Sequence, residues 1–473
     1  MDNFIYFIWS EIQTSLISAA IVVALCAGII GYLYYRKRRA YGTNIPFPWS
    51  RILLYLFAIG YFVILSYATL GRETGGGTGE INLHFFRALR EAWNTFSVKN
   101  WMNIILNIIL FVPLGVFLPL IFPKLRKWYF TLLIGFLFCI YTETLQYIKG
   151  IGIFDVDDFL CNILGILMGY IFIASLLKIV HEKKFVIGIP GIIISFIPAI
   201  LIVGIFIKYD KQEYGNIRQA MTYAVKTSKI SWVSEFPVEN DMQQVPVYKT
   251  DTYSAEECMQ FGLNIGKHIE AEFDENEIHD NEIWMTDHGM GKNMSNGAHF
   301  LKVQYPNRTF TLTSHWSNTP EWEMLNESEM RSLMQQYSIH IPVNAEFTSE
   351  TTGWHTFTAN HTKDNDRIVD GVLQCRYAKD GKIRELKSSL IYYQFYKTEN
   401  IISAKEAYEL LCNGKFNDEE STLDGFSGEI YVKQCSLDYL VDTKGFYQPV
   451  YSFDLVVPDL ESDINVVIPA LAN

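Results

Sequence analysis

Six apolar stretches in the first 208 residues of this 473-residue chain limit what it can fold into. They run Leu16–Tyr35, Ile52–Leu70, Trp101–Phe122, Trp128–Ile148, Phe159–Val180 and Phe185–Ile207. Each approaches or exceeds the roughly 18–20 residues that a membrane helix needs. In hydrocarbon every backbone N–H and C=O must be satisfied within the segment, so such stretches are helical. Pro113 and Pro119 lie in the third and Pro190 and Pro198 in the sixth, which membrane helices tolerate better than soluble ones. Charge divides the chain at the same place. Residues 1–208 hold 17 Lys and Arg against 10 Asp and Glu, a net +7; the remainder holds 22 against 41, a net −19. A soluble bundle of buried helices fits this poorly. The expected fold is an α-helical polytopic membrane domain of six transmembrane helices, followed by an extracytoplasmic α+β domain. Residues 1–48 form the first helix and a basic cytoplasmic loop, 49–208 the main membrane domain and 209–473 the outer domain. An acidic soluble half excludes nucleic acid as a partner.

Loop charges orient the spans. Arg36, Lys37, Arg38, Arg39 and Arg51 lie between the first two spans. Lys124, Arg126 and Lys127 follow the third, and Lys178, Lys183 and Lys184 the fifth, giving 11 basic residues on one side. The loops between spans on the other side hold 5: Arg72, Arg87, Arg90, Lys99 and Lys149. The N-terminus is therefore expected outside, the basic loops inside, and the C-terminal domain outside. The first segment is no cleavable signal, because its basic cluster follows the apolar run.

Polar residues inside the membrane half come in three groups. The third span carries Asn107, Phe111, Pro113 and Gly115; the fourth ends with Glu143 and Gln146; the fifth opens with Asp155, Asp157, Asp158 and Asn162, then Gly165 and Gly169. A carboxylate within an apolar helix costs roughly 2.5–3.5 kcal/mol on insertion scales, so Glu143 needs a partner or a task. At 1.5 Å per residue Asn107 and Glu143 lie at similar depth below the outer surface. Arg72, Asn107, Glu143, Gln146, Asp155, Asp158 and Asn162 are therefore expected to form one polar cluster in the outer half of the bundle. Gly165 and Gly169 form a small-xxx-small pair that admits a close neighbour. Three readings of the cluster stay open: a structural clasp, a ligand or substrate site, and a divalent metal site at Asp155, Asp157 and Asp158, whose oxygens suit Ca²⁺ or Mg²⁺.

At these residues the sequence resembles the VanZ-like membrane family. The shared pattern is an Asn-x3-Phe-x-Pro-x-Gly helix, a Glu-x-x-Gln helix end and an Asp-x-x-Asp-x3-Asn-x2-Gly segment, carried here by residues 107–115, 143–146 and 155–165. Thr69–Arg72 and Asn82-Leu83 also look like the family's first extracellular stretch. The resemblance covers roughly residues 50–180. The family's basic residue before the aspartates is absent from Gly150-Ile-Gly-Ile-Phe154, which leaves an Arg–Asp pairing there without its arginine. The resemblance implies a bacterial envelope protein at the plasma membrane, and the family's namesake lowers susceptibility to the glycopeptide teicoplanin.

In the outer half, strands are expected at Thr309–Ser314, Leu390–Tyr396, Glu429–Leu437 and Pro449–Val457, where β-branched and aromatic residues concentrate. Helices are expected at Ala255–Lys267, Glu327–Tyr337 and Ala404–Asn413; Ser254/Glu257 and Ser403/Glu406 read as capping boxes. Recurring Pro-Val-Tyr at 246–248 and 449–451 hints at a duplicated unit. Residues 404–414 and 448–453 look like secreted YycH/YycI-type or PepSY-like domains of Gram-positive bacteria. Cys258, Cys375, Cys412 and Cys435 are either paired or free. No His-Glu-x-x-His, Gly-x-Ser-x-Gly, Cys-x-x-Cys or Walker loop is present. Gly75–Gly79 reads as a hinge, and Asp274, Glu275, Glu277 and Asp287-His288 as a solvated face. Four Asn-x-Ser/Thr matches, at Asn293, Asn307, Asn326 and Asn360, matter only in a eukaryotic secretory route and are set aside on the family resemblance.

Three functions are consistent with this sequence, none requiring a cofactor. One is an envelope protein acting on a lipid-linked cell-wall precursor or a glycopeptide in contact with membrane lipid. Another is a sensor whose outer domain binds a partner protein. The third is an intramembrane enzyme on a lipid head group, with Glu143 as base and Asp155 and Asp158 as metal ligands or electrostatic partners. The orientation itself is testable. In a thiol-free background, cysteines at Gly76 and Glu461 should label from outside intact cells and one at Thr43 should not; labelling at Thr43 alone would reverse the topology.

Overall fold

The computed structural model describes residues 2–41, 48–70, 81–150, 154–222, 224–234, 243–273, 275–279, 282–287, 299–305, 307–314, 320–418, 423, 425–458 and 463–472. The chain folds as two compact units, one of Ile8–Glu213 and the other centred on Tyr214–Asn473. The first unit is helical: α1 Asp2–Tyr41 from Ile8 onward, α2 Trp49–Leu70, α3 Arg87–Thr95, α4 Val98–Ile121, α5 Trp128–Lys149, α6 Val156–Glu182, α7 Phe185–Ser195 and α8 Ile197–Lys211. Two short strands, β1 Ile81–Asn82 and β2 Phe154–Asp155, pair in parallel. Among the described residues five helical segments are long and apolar enough to cross a membrane: α2, α4, α5, α6 and Leu16–Arg39 of α1. The expected sixth span is not one straight helix. It is the pair α7 and α8, bent by 43°. Pro198 lacks an N–H and its ring collides with the carbonyl four residues back, so the helix breaks just before it. The Phe196 N–H turns to the Ile193 carbonyl at 3.1 Å, closing the first helix tightly.

Helices α4 and α6 are in backbone contact. A Cβ on Gly115 would lie 2.1 Å from the Ile166 carbonyl oxygen, one on Gly165 2.1 Å from that of Ile108, and one on Gly169 2.0 Å from that of Val112. Hydrophobic attraction between helices vanishes in lipid, and close packing of small residues takes its place. Around this crossing Tyr61 and Leu65 of α2, Phe111 and Leu114 of α4, Cys139 of α5 and Ile166 of α6 form the core. Helix α5 reaches it through Gly135, where a Cβ would lie 2.7 Å from Ile166 Cδ1. Outward rows such as Leu25, Phe57, Leu133, Leu137 and Leu201 are exposed, as hydrocarbon-facing side chains should be.

The second unit is built on a continuous, mostly antiparallel sheet. Its elements are β3 Ile230–Ser234, β4 Gln244–Thr250, α9 Ala255–His268, β5 Glu275–His279, β6 Glu282–Asp287, β7 His299–Gln304, β8 Phe310–Ser314, α10 Glu327–Gln336, β9 Glu346–Ser349, β10 Trp354–Asp364, β11 Arg367–Tyr377, β12 Ile383–Ser388, β13 Ile391–Asn400, α11 Ala404–Cys412, β14 Gly428–Val441, β15 Phe446–Val456 and β16 Ile464–Pro469. The main path runs β3-β14-β15-β4-β13-β11-β12-β8-β7-β6-β5. One core lies under α9 and α10, around Ile265, Met285, Leu312, Met334 and Phe357. Another lies under α11, around Val247, Leu411, Phe416, Phe453 and Ile468. Between them, Tyr393 stacks on Tyr447 at 4.1 Å and His361 on Tyr439 at 4.6 Å.

Both expected capping boxes are present, and a third forms at Asn326 and Glu329. Each of α9, α10 and α11 follows a strand and starts with such a box. All seven cysteines are free thiols. Asp287, expected on a solvated face, is buried at 8% exposure because it sits at the end of β6, opposite His299. Gly75–Gly79, Asp274, His288 and Asn293 lie outside the described residues.

The glycine crossing yields a direct test. Gly169→Ala should cost about 1–3 kcal/mol or more through backbone displacement and lower the melting temperature in detergent. Gly28→Ala, with nothing within 4 Å of its Cβ position, should leave it unchanged.

Candidate functional site

The three polar groups expected from the sequence converge where the C-terminal end of α5 meets the N-terminal end of α6. The local chain makes this possible. Gly150, at φ 64, ends α5 in the left-handed region that suits glycine, and β2 then leads into α6. Asp155 is the N-cap of α6; its Oδ1 accepts from the Asp157 N–H at 2.8 Å. Its Oδ2 accepts from Asn82 Nδ2 at 3.0 Å, so the side chains reinforce the β1–β2 ladder.

Asp157 has a different role. It is buried, and its two oxygens accept from the backbone N–H groups of Phe86 at 2.6 Å and Ala88 at 2.7 Å. Phe86 is the N-cap of α3, sits at φ 62 and has no capping side chain of its own. Asp157 supplies that cap from another helix. The N-termini of α3 and α6 thus both direct N–H groups and the positive ends of their dipoles at the acidic segment, which stabilises negative charge there.

Asp158 Oδ1 accepts from Asn107 Nδ2 of α4 at 2.5 Å. Gln146 Nε2 donates to the Thr69 carbonyl at 2.8 Å and ties α5 to the end of α2. Glu143 is 4% exposed and stands beside Asp158 and Asp155, against the Asp155 backbone N–H. Among the described residues no side chain donates a hydrogen bond to it. Asn162, one turn beyond Asp158 on α6, is 3% exposed, and its Oδ1 has no hydrogen-bond donor among the described residues. Arg72 lies outside the described residues. Among the described residues no group of three or more His, Cys, Asp or Glu is arranged to hold a metal ion. The oxygens of Asp155 and Asp157 meet N–H donors, which a metal would have to displace.

Sequence reasoning left Asn82 out of the cluster and did not place Asp157 as a cap on another helix. The groups Asp157 caps are backbone amides, which carry no residue signature. In the second unit Asp287, His299 and Ser314 occupy paired positions on β6, β7 and β8. His299 Nδ1 lies 2.9 Å from Ser314 Oγ. Burial lowers the His299 pKa, partly offset by Asp287. Ser314 is 1% exposed and its hydroxyl donates to the Ile383 carbonyl, which makes it a tie between strands.

Residues 52–178 match the model of the VanZ/LLP1 family, a range that spans α2 to α6 and takes in every residue of the cluster. This stretch is a VanZ-like domain, and with its apolar helices it makes the chain a multi-pass membrane protein. No curated protein matches the chain.

The cap supplied by Asp157 can be tested alone. Asp157→Ala removes two charge-assisted hydrogen bonds and should destabilise the membrane unit by about 2–3 kcal/mol. Hydrogen exchange should accelerate at Phe86, Ala88 and along α3, while the α4–α6 crossing stays protected. Unchanged exchange at those two amides would show that the cap does not hold α3.

Proposed function

We propose that this protein is a VanZ-like envelope protein whose acid-and-amide cluster engages a donor-rich head group at the outer membrane face. The ligand class is a lipid-linked cell-wall precursor or a glycopeptide such as teicoplanin, met in contact with membrane lipid. The supporting observation is a buried, unmet Asn162 Oδ1 and a Glu143 without a described side-chain donor, beside a satisfied clasp. Asp155, Asp157, Gln146 and the Asn107–Asp158 pair all have hydrogen-bond partners. Glu143 meets the Asp155 backbone N–H but no side-chain donor among the described residues, and Asn162 Oδ1 has no donor of any kind among them. A buried unmet acceptor costs about 1–3 kcal/mol, so retaining Asn162 Oδ1 beside a Glu143 that no described side chain engages favours a ligand that supplies the donors. The excess of basic residues in alternate loops supports an outward-facing site, with the N-terminus and the second unit outside. There the second unit is available to a partner protein.

Charge separates this reading from a packing role. Glu143→Gln keeps shape and hydrogen-bonding capacity, and a neutral amide is cheaper to bury than a carboxylate. Asp158→Asn likewise retains an acceptor for Asn107. Both variants should accumulate normally in the membrane and lose teicoplanin tolerance or a comparable envelope phenotype. Normal abundance with full phenotype in both would reduce the cluster to a helix clasp.

A further inference from the structure

A cleft in the second unit lies between the ends of β4 and β13, the β7–β8 turn and the segment after α10. It encloses about 90 Å³ and is lined in part by Asp251, Tyr253, Arg308, Phe310, His340 and Tyr392. Arg308 dominates its chemistry. The guanidinium lies 4.1 Å from the ring centre of Tyr253 and 5.0 Å from that of Phe261. Contact with two aromatic rings restrains the guanidinium without consuming its N–H donors. No described carboxylate or hydrogen-bond acceptor engages that fork.

The neighbouring acids are already occupied. Asp251 pairs with Arg367 at 3.1 Å and accepts from Gln394 Nε2 at 2.7 Å. Asp364 is held by His340 Nε2 at 2.7 Å. The Tyr392 hydroxyl donates to the His340 carbonyl at 2.8 Å. The backbone adds an independent sign. Arg308 sits at φ 59 in the β7–β8 turn, a position that Gly or Asn adopts at least cost and that costs a larger residue roughly 1–2 kcal/mol. Strain of this kind at a cleft wall is a recurrent mark of a ligand site.

We propose that this cleft binds a carboxylate carried on a small apolar group, with Arg308 as its bidentate anchor. One guanidinium with Asp251 at the rim favours a monoanion over a phosphate dianion. Phe310 and the nearby Ile339 and Leu390 provide an apolar wall. The volume suits a few heavy atoms, since an apolar cavity of about 150 Å³ takes benzene. Such a group is either a small free acid or the terminal residue of a longer chain.

The test is calorimetric titration of the full-length protein in detergent with propionate, N-acetyl-alanine, N-acetyl-alaninamide and inorganic phosphate. Both carboxylates should bind and the amide should not. Tighter binding of N-acetyl-alanine than of propionate would identify a chain terminus, and the reverse order a free acid. Arg308→Gln should weaken the carboxylates roughly 10- to 100-fold, the loss expected for a charged hydrogen-bonded pair. Arg308→Lys should fall between, because it keeps charge and loses the fork. Lys433→Gln, which breaks a surface pair with Asp463, should bind as the parent does. Equal binding of the amide, preference for phosphate, or carboxylate binding indifferent to Arg308 would overturn the proposal. The acid-against-amide comparison on the unsubstituted protein decides it even if Arg308→Gln does not fold.

Discussion

Everything in the membrane unit depends on α4 and α6 touching backbone to backbone. Gly115, Gly165 and Gly169 each face a carbonyl oxygen of the opposite helix at a distance no side-chain carbon could occupy. Lipid gives helices little reason to associate through apolar burial, so shape has to supply the specificity. Once the two axes are this close, Asn107 and Asp158 are within hydrogen-bond reach without either side chain stretching. A wider crossing would separate them and leave two polar groups in hydrocarbon.

The acidic segment at the start of α6 then divides its work. Asp155 closes its own helix and binds Asn82; Asp157 closes α3; Asp158 binds α4. Three carboxylates within four residues would repel one another, yet two helix N-termini and several backbone amides face them. Glu143 has less of this support, meeting only the Asp155 backbone N–H among the described residues. It arrives from α5 and meets the same negative group from the other side. That asymmetry makes Glu143 the group whose charge is hardest to explain by architecture alone.

Local rules made much of this legible in the sequence. Apolar length located the helices, the four-residue spacing of Gly165 and Gly169 marked the crossing, and Ser254-x-x-Glu257 and Ser403-x-x-Glu406 marked helix starts. Asn326-x-x-Glu329 obeys the same rule with asparagine in the cap and went unread. What remained hidden is non-local. Strands of two residues, 73 positions apart at Asn82 and Asp155, have no periodicity to detect. The cap on α3 joins a side chain to amides whose own residues, Phe86 and Ala88, give no clue. Pro198 was visible, but its effect was not, since a proline in a membrane helix can kink, break or do neither. Arg308 was invisible as a site because its aromatic neighbours come from α9 and the segment before it.

The stacked rings in the second unit have a mechanical consequence. Tyr393 and His361 belong to the strands bordering one core; Tyr447 and Tyr439 belong to those bordering the other. The same seam is stitched by the β13–β4 ladder from Tyr393↔Thr250 to Asn400↔Gln244. Two lobes joined by a flexible linker would swivel like beads on a string. Here a torque on one lobe passes into the other through hydrogen-bonded backbone and stacked rings, so the pair turns together as a single stiff lever.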